Sequence, residues 1–130
     1  MKTYKSLKGE CLCGEVSWQL TGPYEFFGMC QCSRCRKVTG AAFATNLFVK
    51  AEQFQWLSGK EMVGEYVMEE PNTFGNAFCK NCGSRSPRYS PVRGWMMAPL
   101  GSTMEAPEIK PTLVCAKDHT DWFKKLEEML

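Results

Sequence analysis

The chain has 130 residues, 44% hydrophobic and 23% charged, which is the composition of an ordinary globular domain rather than of a disordered segment. Sixteen basic and fourteen acidic residues leave a net charge of +2, too balanced to indicate nucleic-acid binding. The sequence has no apolar run of membrane-spanning length, and the basic N-terminus lacks the apolar segment of a signal peptide. We therefore predict one cytoplasmic domain over residues 1–130, with neither a nucleic acid nor a membrane as partner.

Short strand-like runs alternate with turn residues along most of the chain. The runs span residues 14–20, 42–49, 54–57, 64–68, 95–98 and 112–116. No helical periodicity separates them, so the pattern predicts a mainly β domain.

Near the C-terminus the periodicity becomes that of a helix. Apolar side chains recur at helical spacing at Trp122, Phe123, Leu126, Met129 and Leu130. Thr120 or Asp121 can cap the first turn. Because a helix of about ten residues is unstable alone, we predict that its apolar face packs on the sheet. Binding of a partner protein by that face is the alternative.

Eight cysteines and a single histidine, His119, make sulfur the only abundant soft ligand. Seven of the cysteines form three groups: Cys11 with Cys13; Cys30 with Cys32 and Cys35; and Cys79 with Cys82. C-x-x-C lets two thiolates share one zinc ion at about 2.3 Å each, and C-x-C places two thiols on the same face of a strand. Without an export signal a disulfide framework is disfavoured. We predict zinc, with iron–sulfur ligation as the main alternative.

Seven thiols divide most simply into a closed four-thiolate site and an open three-thiolate site. In one division Cys32, Cys35, Cys79 and Cys82 form a zinc ribbon, and Cys11, Cys13 and Cys30 remain. In the other, Cys11 and Cys13 join Cys79 and Cys82, and Cys30, Cys32 and Cys35 remain as a contiguous triad. We prefer the second division because it keeps each local group intact.

The eighth cysteine, Cys115, lies in the apolar run 113–116. A thiol in such a run is typically buried and inert. We predict that state for Cys115, with ligation of the triad metal as the alternative.

The three cysteine motifs, in this order, resemble the glutathione-dependent formaldehyde-activating enzyme family, whose domain is shared with centromere protein V. The matching segments are GECLCGEV (9–16), CQCSRCR (30–36), TG (39–40) and FCKNCGS (78–84), with weaker echoes at 58–59, 99–102 and 109–112. Members of the family often carry a histidine shortly after the proline that matches Pro111. Here the segment reads Leu113-Val114-Cys115, and of the family's later segment only Trp122 remains.

The resemblance implies an Mss4-like fold of several small, coiled antiparallel sheets, here with one C-terminal helix. It also implies two zinc ions per chain. Cys11, Cys13, Cys79 and Cys82 would hold a structural zinc, and Cys30, Cys32 and Cys35 a catalytic one. The implied activity is that of a carbon–sulfur lyase resembling S-(hydroxymethyl)glutathione synthase.

An open three-thiolate zinc can bind a small thiol such as glutathione and deprotonate it. The thiolate would then add to formaldehyde or a related carbonyl. Glutathione carries carboxylates, so its site needs cations. Arg36 directly follows the last triad thiol and is the predicted substrate-binding residue; other candidates are Arg34, Lys37, Lys80, Arg85, Arg88 and Arg93.

Two alternatives remain at this point. His119 is a weak candidate for proton transfer, since its ordinary pKa is near neutral. The whole domain can also be a zinc-stabilised binding module without chemistry, in which case a fourth ligand such as Cys115 would close the triad site. We favour an enzyme, because a scaffold has no need of an open site.

Overall fold

The computed structural model describes residues 4–70, 73–103 and 105–130, and for Glu127 the backbone only. Its strands are β1 (Ser6–Glu10), β2 (Ser17–Thr21), β3 (Phe26–Cys30), β4 (Ala44–Val49), β5 (Phe54–Ser58), β6 (Val63–Val67), β7 (Gly75–Cys79), β8 (Arg85–Ser86), β9 (Arg88–Ser90), β10 (Trp95–Pro99) and β11 (Thr112–Val114). The α-helices are α1 (Ser33–Thr39) and α2 (Asp121–Met129). Short 3-10 turns lie at Ala51–Gln53, Lys60–Met62, Leu100–Ser102 and Ala116–Asp118.

The strands form three small sheets, with orders β1-β2-β5, β11-β3-β4-β10-β9 and β6-β7-β8. The pairs are antiparallel except for β11, which lies parallel to β3. The prediction of a mainly β fold built from several small antiparallel sheets is confirmed. None of the helices in the described ranges is long and apolar enough to cross a membrane.

The six predicted strand runs overlap β2, β4, β5, β6, β10 and β11. The sequence pattern predicts none of β1, β3, β7, β8, β9 and α1. Gly28 interrupts the apolar pattern of β3, and β7 begins with Gly75 and Asn76, two residues of low strand propensity, which weakens both strand signals. The helix α1 has only seven residues and no apolar stripe.

The main core lies on the inner face of the first sheet and reaches one group of cysteines. Along β2, Trp18 and Leu20 point inward, because side chains of a strand alternate between its two faces. Burying each of these large side chains stabilises the fold by about 1.5–3 kcal/mol. Cys11 and Cys79 belong to the same buried cluster, so a metal bound there is attached directly to the core.

Gly59 occupies a position where the backbone leaves no room for a side chain. Its φ is +74°, and a Cβ there would collide with the carbonyl oxygen of Glu15. We expect Gly59→Ala to lower the free energy of unfolding by about 2 kcal/mol or more, through the left-handed conformation and the collision together.

Gly40 is the matched control for that substitution. It also has a positive φ, +64°, but no atom lies within 4 Å of a Cβ built on it. Gly40→Ala should therefore cost only about 1 kcal/mol, the conformational part alone. Denaturant unfolding of the two variants checks the difference, and equal losses would show that the collision at residue 59 is relieved.

The C-terminal helix forms as predicted but is less buried than predicted. Thr120 caps it, since its Oγ1 accepts a hydrogen bond from the Phe123 backbone N–H at 3.3 Å. The Phe123 ring packs on Phe43 with 5.6 Å between ring centroids. Trp122 and Leu126 are nevertheless 53% and 42% exposed, so the prediction of a buried apolar face is wrong for them. In sequence the helix follows β11, which is an edge strand of its sheet.

Candidate metal sites and their cavity

Four cysteines from distant parts of the chain meet at the end of the core. The sulfur atoms of Cys11, Cys13, Cys79 and Cys82, here called the four-cysteine cluster, lie within 4.8 Å of one another. Cys13 Sγ is 3.5 Å from Cys11 Sγ and 3.8 Å from Cys79 Sγ, although Cys13 and Cys79 are 66 positions apart in sequence. The structure thus brings together the four cysteines that the preferred division of the thiols assigns to one site.

Each pair of this cluster spans a tight turn, and Cys79 is also the last residue of β7. The backbone N–H of Gly14 donates to Cys11 O at 3.0 Å, and that of Gly83 donates to Cys79 O at 2.8 Å. Both glycines have φ near +80°, which a residue with a side chain adopts only at a cost. The expectation that Cys11 and Cys13 share a strand face is therefore wrong, because β1 ends at Glu10.

Hydrogen bonds orient the sulfur atoms of the cluster toward a common centre. Val16 N–H donates to Cys11 Sγ at 3.3 Å. Ser84 Oγ lies 3.2 Å from Cys82 Sγ and accepts from Leu12 N–H at 2.9 Å, so it connects the two turns. Burial raises the pKa of Cys11 to about 11, whereas hydrogen bonds with Ser84 lower the pKa of Cys82 to about 5. Four converging thiols suit a closed tetrahedral metal site.

The second group, the triad of Cys30, Cys32 and Cys35, sits where β3 passes into α1. Cys30 ends β3, Cys32 is the N-cap of α1, and Cys35 lies in the first turn of that helix. The Cys35 backbone N–H donates to Cys32 Sγ at 3.3 Å, so the capping interaction itself holds one sulfur in place. The three sulfur atoms lie within 4.8 Å of one another.

The triad is polarised by its own hydrogen bonds and by a half-buried arginine, Arg85. A hydrogen bond with Cys30 lowers the pKa of Cys35, and the same bond, together with burial, raises the pKa of Cys30. The charge of Arg85 also lowers the pKa of Cys35. Burial lowers the pKa of Arg85 itself, and the charges of the triad thiolates oppose that shift. The thiolate form is therefore easier to reach at Cys35 than at Cys30.

Two asparagines hold Arg85 in this position. Its Nη1 donates to Asn46 Oδ1 at 2.7 Å, and its Nε donates to Asn76 Oδ1 at 3.2 Å. Asn46 is buried, and its Nδ2 lies 4.0 Å from Cys35 Sγ. Asn46 was not predicted as a site residue, although an asparagine inside the apolar run ATNLFV was the available signal.

A cavity of about 310 Å³ extends from the triad and carries positive charge. Four arginines line it: Arg34, Arg85, Arg88 and Arg93. No aspartate, glutamate or histidine lines it among the described residues. A concave surface of this kind attracts an anionic molecule.

Aromatic rings support two of the cavity arginines. The guanidinium of Arg34 lies 5.3 Å from the Phe74 ring centroid. That of Arg93 lies 5.2 Å from the centroid of Phe26 and 5.1 Å from that of Phe48. Such cation–π contacts hold a guanidinium in place while leaving its N–H groups available to a ligand.

Two predicted site residues lie outside this cavity. The Nε of Arg36 donates to the backbone carbonyl of Gln31 at 3.1 Å, so its side chain folds back on the loop that carries the triad. His119 is exposed, and its Nδ1 is 3.0 Å from Ala116 O. Neither residue lines the cavity.

The prediction for Cys115 is wrong. The residue is exposed, not buried, because β11 ends at Val114 and Cys115 turns the chain out of the strand with φ 55°. It lines the same cavity as the triad.

Two cysteine clusters on small antiparallel sheets define a β-rich protein that can hold metal ions at soft sulfur sites. The chain belongs to the glutathione-dependent formaldehyde-activating enzyme family, whose model matches residues 6–119. The match ends before α2.

A crystal structure of a Rhodobacter sphaeroides protein shares the fold. It aligns with a TM-score of 0.59 and 21% identity, covering 80% of this chain and 97% of that chain. At this identity the likeness bears on the fold alone. No curated protein matches the chain.

Proposed function

We propose that the protein is a zinc-dependent carbon–sulfur lyase that binds a small thiol, such as glutathione, and adds it to formaldehyde or a related carbonyl. The observation that carries the proposal is the triad at one end of a cavity lined by four arginines and by no described acidic residue. Membership of the family supports the same substrate pair.

The donor sets fit two zinc ions, one in each cluster. Cys11, Cys13, Cys79 and Cys82 would form the closed structural site, and Cys30, Cys32 and Cys35 the catalytic one. Zinc at the triad would supply Lewis acidity that stabilises a substrate thiol as its thiolate. We also propose that residues 1–130 act as one domain in the cytoplasm, where thiols stay reduced.

The chain's own residues would bind and orient the thiol substrate. Arg34, beside the triad in α1, and Arg93, over the rings of Phe26 and Phe48, can each hold a carboxylate of glutathione. The rings of Phe26, Phe48 and Phe74 would exclude water from the space between them. Asn46 and Arg85 would keep Cys35 in its orientation.

The proposed reaction balances without an oxidant or a reductant. The substrate sulfur forms a bond to the carbonyl carbon, and the π electrons of the carbonyl move to its oxygen. The proton lost by the thiol is matched by the proton that this oxygen gains. The reverse reaction breaks the same carbon–sulfur bond and releases the carbonyl compound.

Free thiols add to formaldehyde unaided, so product formation does not test the proposal. The informative quantity is the rate of exchange between glutathione and its hydroxymethyl adduct at equilibrium, which NMR exchange spectroscopy measures with and without protein. Zinc-loaded protein should accelerate both directions equally and leave the equilibrium unchanged. An unchanged exchange rate at saturating protein would reject the proposed activity.

Arg34 and Arg36, two positions apart in α1, offer a matched pair for testing substrate binding. We expect Arg34→Gln to weaken glutathione binding by about 1–2 kcal/mol, because it removes a charged donor from a partly exposed site. Binding of 2-mercaptoethanol, which has no carboxylate, should not change.

The sequence predicts Arg36 as the substrate-binding residue, whereas its position outside the cavity predicts a small effect for Arg36→Gln. Calorimetric titration of both thiols into both variants separates these expectations. A larger loss of glutathione binding in Arg36→Gln than in Arg34→Gln would assign the carboxylate contact to Arg36.

A second candidate function is a non-catalytic interaction module. The observation that favours it is the apolar surface of α2, where Trp122, Leu126 and Met129 are exposed. Binding of a partner protein through α2, together with an unchanged exchange rate, would support this function over the lyase.

A further inference from the structure

The pairing of β11 with β3 places Cys115 next to the triad. The strand β11 pairs in parallel with β3, and its last residue, Val114, is opposite Cys30. The Gln31 backbone N–H donates to Val114 O at 2.9 Å, so the pairing continues past the end of both strands. Cys115 is therefore held beside the loop that carries the triad and lines the same cavity, and since its Sγ is not one of the three that lie within 4.8 Å of one another, it would reach a triad metal by rotation of its side chain.

The donor chemistry of the cavity singles out this thiol. A three-thiolate metal site leaves one tetrahedral position to be filled. Among the described residues that line the cavity, the other uncharged polar side chains are those of Asn46, Thr73 and Ser90, which offer oxygen or amide nitrogen. A soft metal held by thiolates prefers a further thiolate to these groups.

We infer that Cys115 is the fourth ligand of the triad metal in the resting protein, and that a substrate thiol has to displace it. The inference rests on metal binding at the triad, as in the proposed function. The exchange is balanced in protons: the incoming thiol loses one, and Cys115 takes one up as it leaves. Cys115 therefore acts as an internal competitor of the substrate.

Alkylation of Cys115 tests the ligation without any measurement of activity. In zinc-loaded parent protein kept under reducing conditions, Cys115 should react with iodoacetamide at least about tenfold more slowly than after removal of zinc by a chelator. Peptide mass spectrometry identifies the modified residue. Equal rates before and after chelation would overturn the inference, because an exposed unligated thiol reacts in both states.

A triad variant provides the matched control for the alkylation. Cys35→Ser removes a ligand of the triad and leaves the four-cysteine cluster intact, so Cys115 should react quickly even with zinc present. Slow alkylation that persists in Cys35→Ser would mean that something other than the triad metal shields Cys115. Protection that a reductant removes and a chelator does not would mean a disulfide instead, and either result overturns the inference.

Competition between Cys115 and the substrate thiol also predicts that removal of the Cys115 thiol strengthens substrate binding. If Cys115 fills the fourth position nine-tenths of the time, Cys115→Ser should bind glutathione about tenfold more tightly, because the apparent affinity scales with the fraction of open sites. Leu113→Ala, at an exposed position in the same strand, should leave the affinity unchanged. Equal affinity in Cys115→Ser and parent overturns the inference. A metal content of one ion per chain would instead reject the triad metal, and with it the proposed function.

Discussion

Cys79→Ser should abolish cooperative unfolding and release one metal ion per chain. Cys79 is fully buried in the main core and completes the four-cysteine cluster, which joins two turns whose residues Cys13 and Cys79 are 66 positions apart. A structural zinc of this kind contributes free energy of about 10 kcal/mol to folding. That is comparable to the whole stability of a domain, about 5–15 kcal/mol, so the loss of one ligand should leave no stable fold.

Thermal unfolding followed by circular dichroism, together with metal analysis, checks this result. The matched comparison is Cys35→Ser, which makes the same substitution in the triad. A Cys79→Ser protein that melts with the cooperativity of the parent would show that the four-cysteine cluster is not a structural metal site.

Cys35→Ser should give a folded protein that has lost all acceleration of adduct exchange and one metal ion. The triad spans only a few residues between β3 and α1, so a metal there closes a short loop and constrains the unfolded chain little. The buried hydroxyl costs about 1–3 kcal/mol. The exchange rate should fall to that of the uncatalysed reaction, because the thiol-binding position no longer exists.

Ser33→Ala, at an exposed position at the start of the same helix, is the control for this variant. It should keep the metal content and the exchange rate of the parent. Global unfolding of Cys35→Ser would contradict the account and would favour the ribbon division, in which Cys32 and Cys35 belong to the long-range site.

The parts of the fold that the sequence could predict are those with a clean local pattern. The run at 42–49 gave β4 because its residues are nearly all apolar and lie at the centre of the largest sheet. The strand β3 was missed because Gly28 interrupts its pattern and its pairing partners, β4 and β11, come later in the chain. The burial of α2 was overestimated, since amphipathic periodicity predicts a helix without showing how much surface is available to cover it.

The site shows the same contrast between features that follow from local spacing and features that depend on tertiary packing. The spacing of the cysteines predicted two groups of thiols, because C-x-C and C-x-x-C bring sulfur atoms together within a single turn. The cations of the cavity were harder to rank, because their positions depend on tertiary packing. Arg36 is adjacent to Cys35 in sequence, yet its side chain bonds to Gln31, whereas Arg85 reaches the triad from β8.

Cys115 shows the same limit most clearly. Its apolar neighbours predicted burial, but the parallel pairing of β11 with β3 ends one residue earlier and leaves the residue exposed in the lining of the cavity. Parallel pairing between segments this far apart has no local sequence signal.

A binding measurement with two ligands that differ only at sulfur tests whether the triad captures the substrate thiol as a thiolate. Glutathione and S-methylglutathione carry the same carboxylates, but the methylated sulfur cannot become a thiolate. Calorimetric titration of zinc-loaded protein should show that glutathione binds at least about tenfold more tightly than S-methylglutathione, and that Cys35→Ser removes the difference. Equal affinity of the zinc-loaded parent for both ligands would contradict the account, because the triad would then take no part in capturing the thiol.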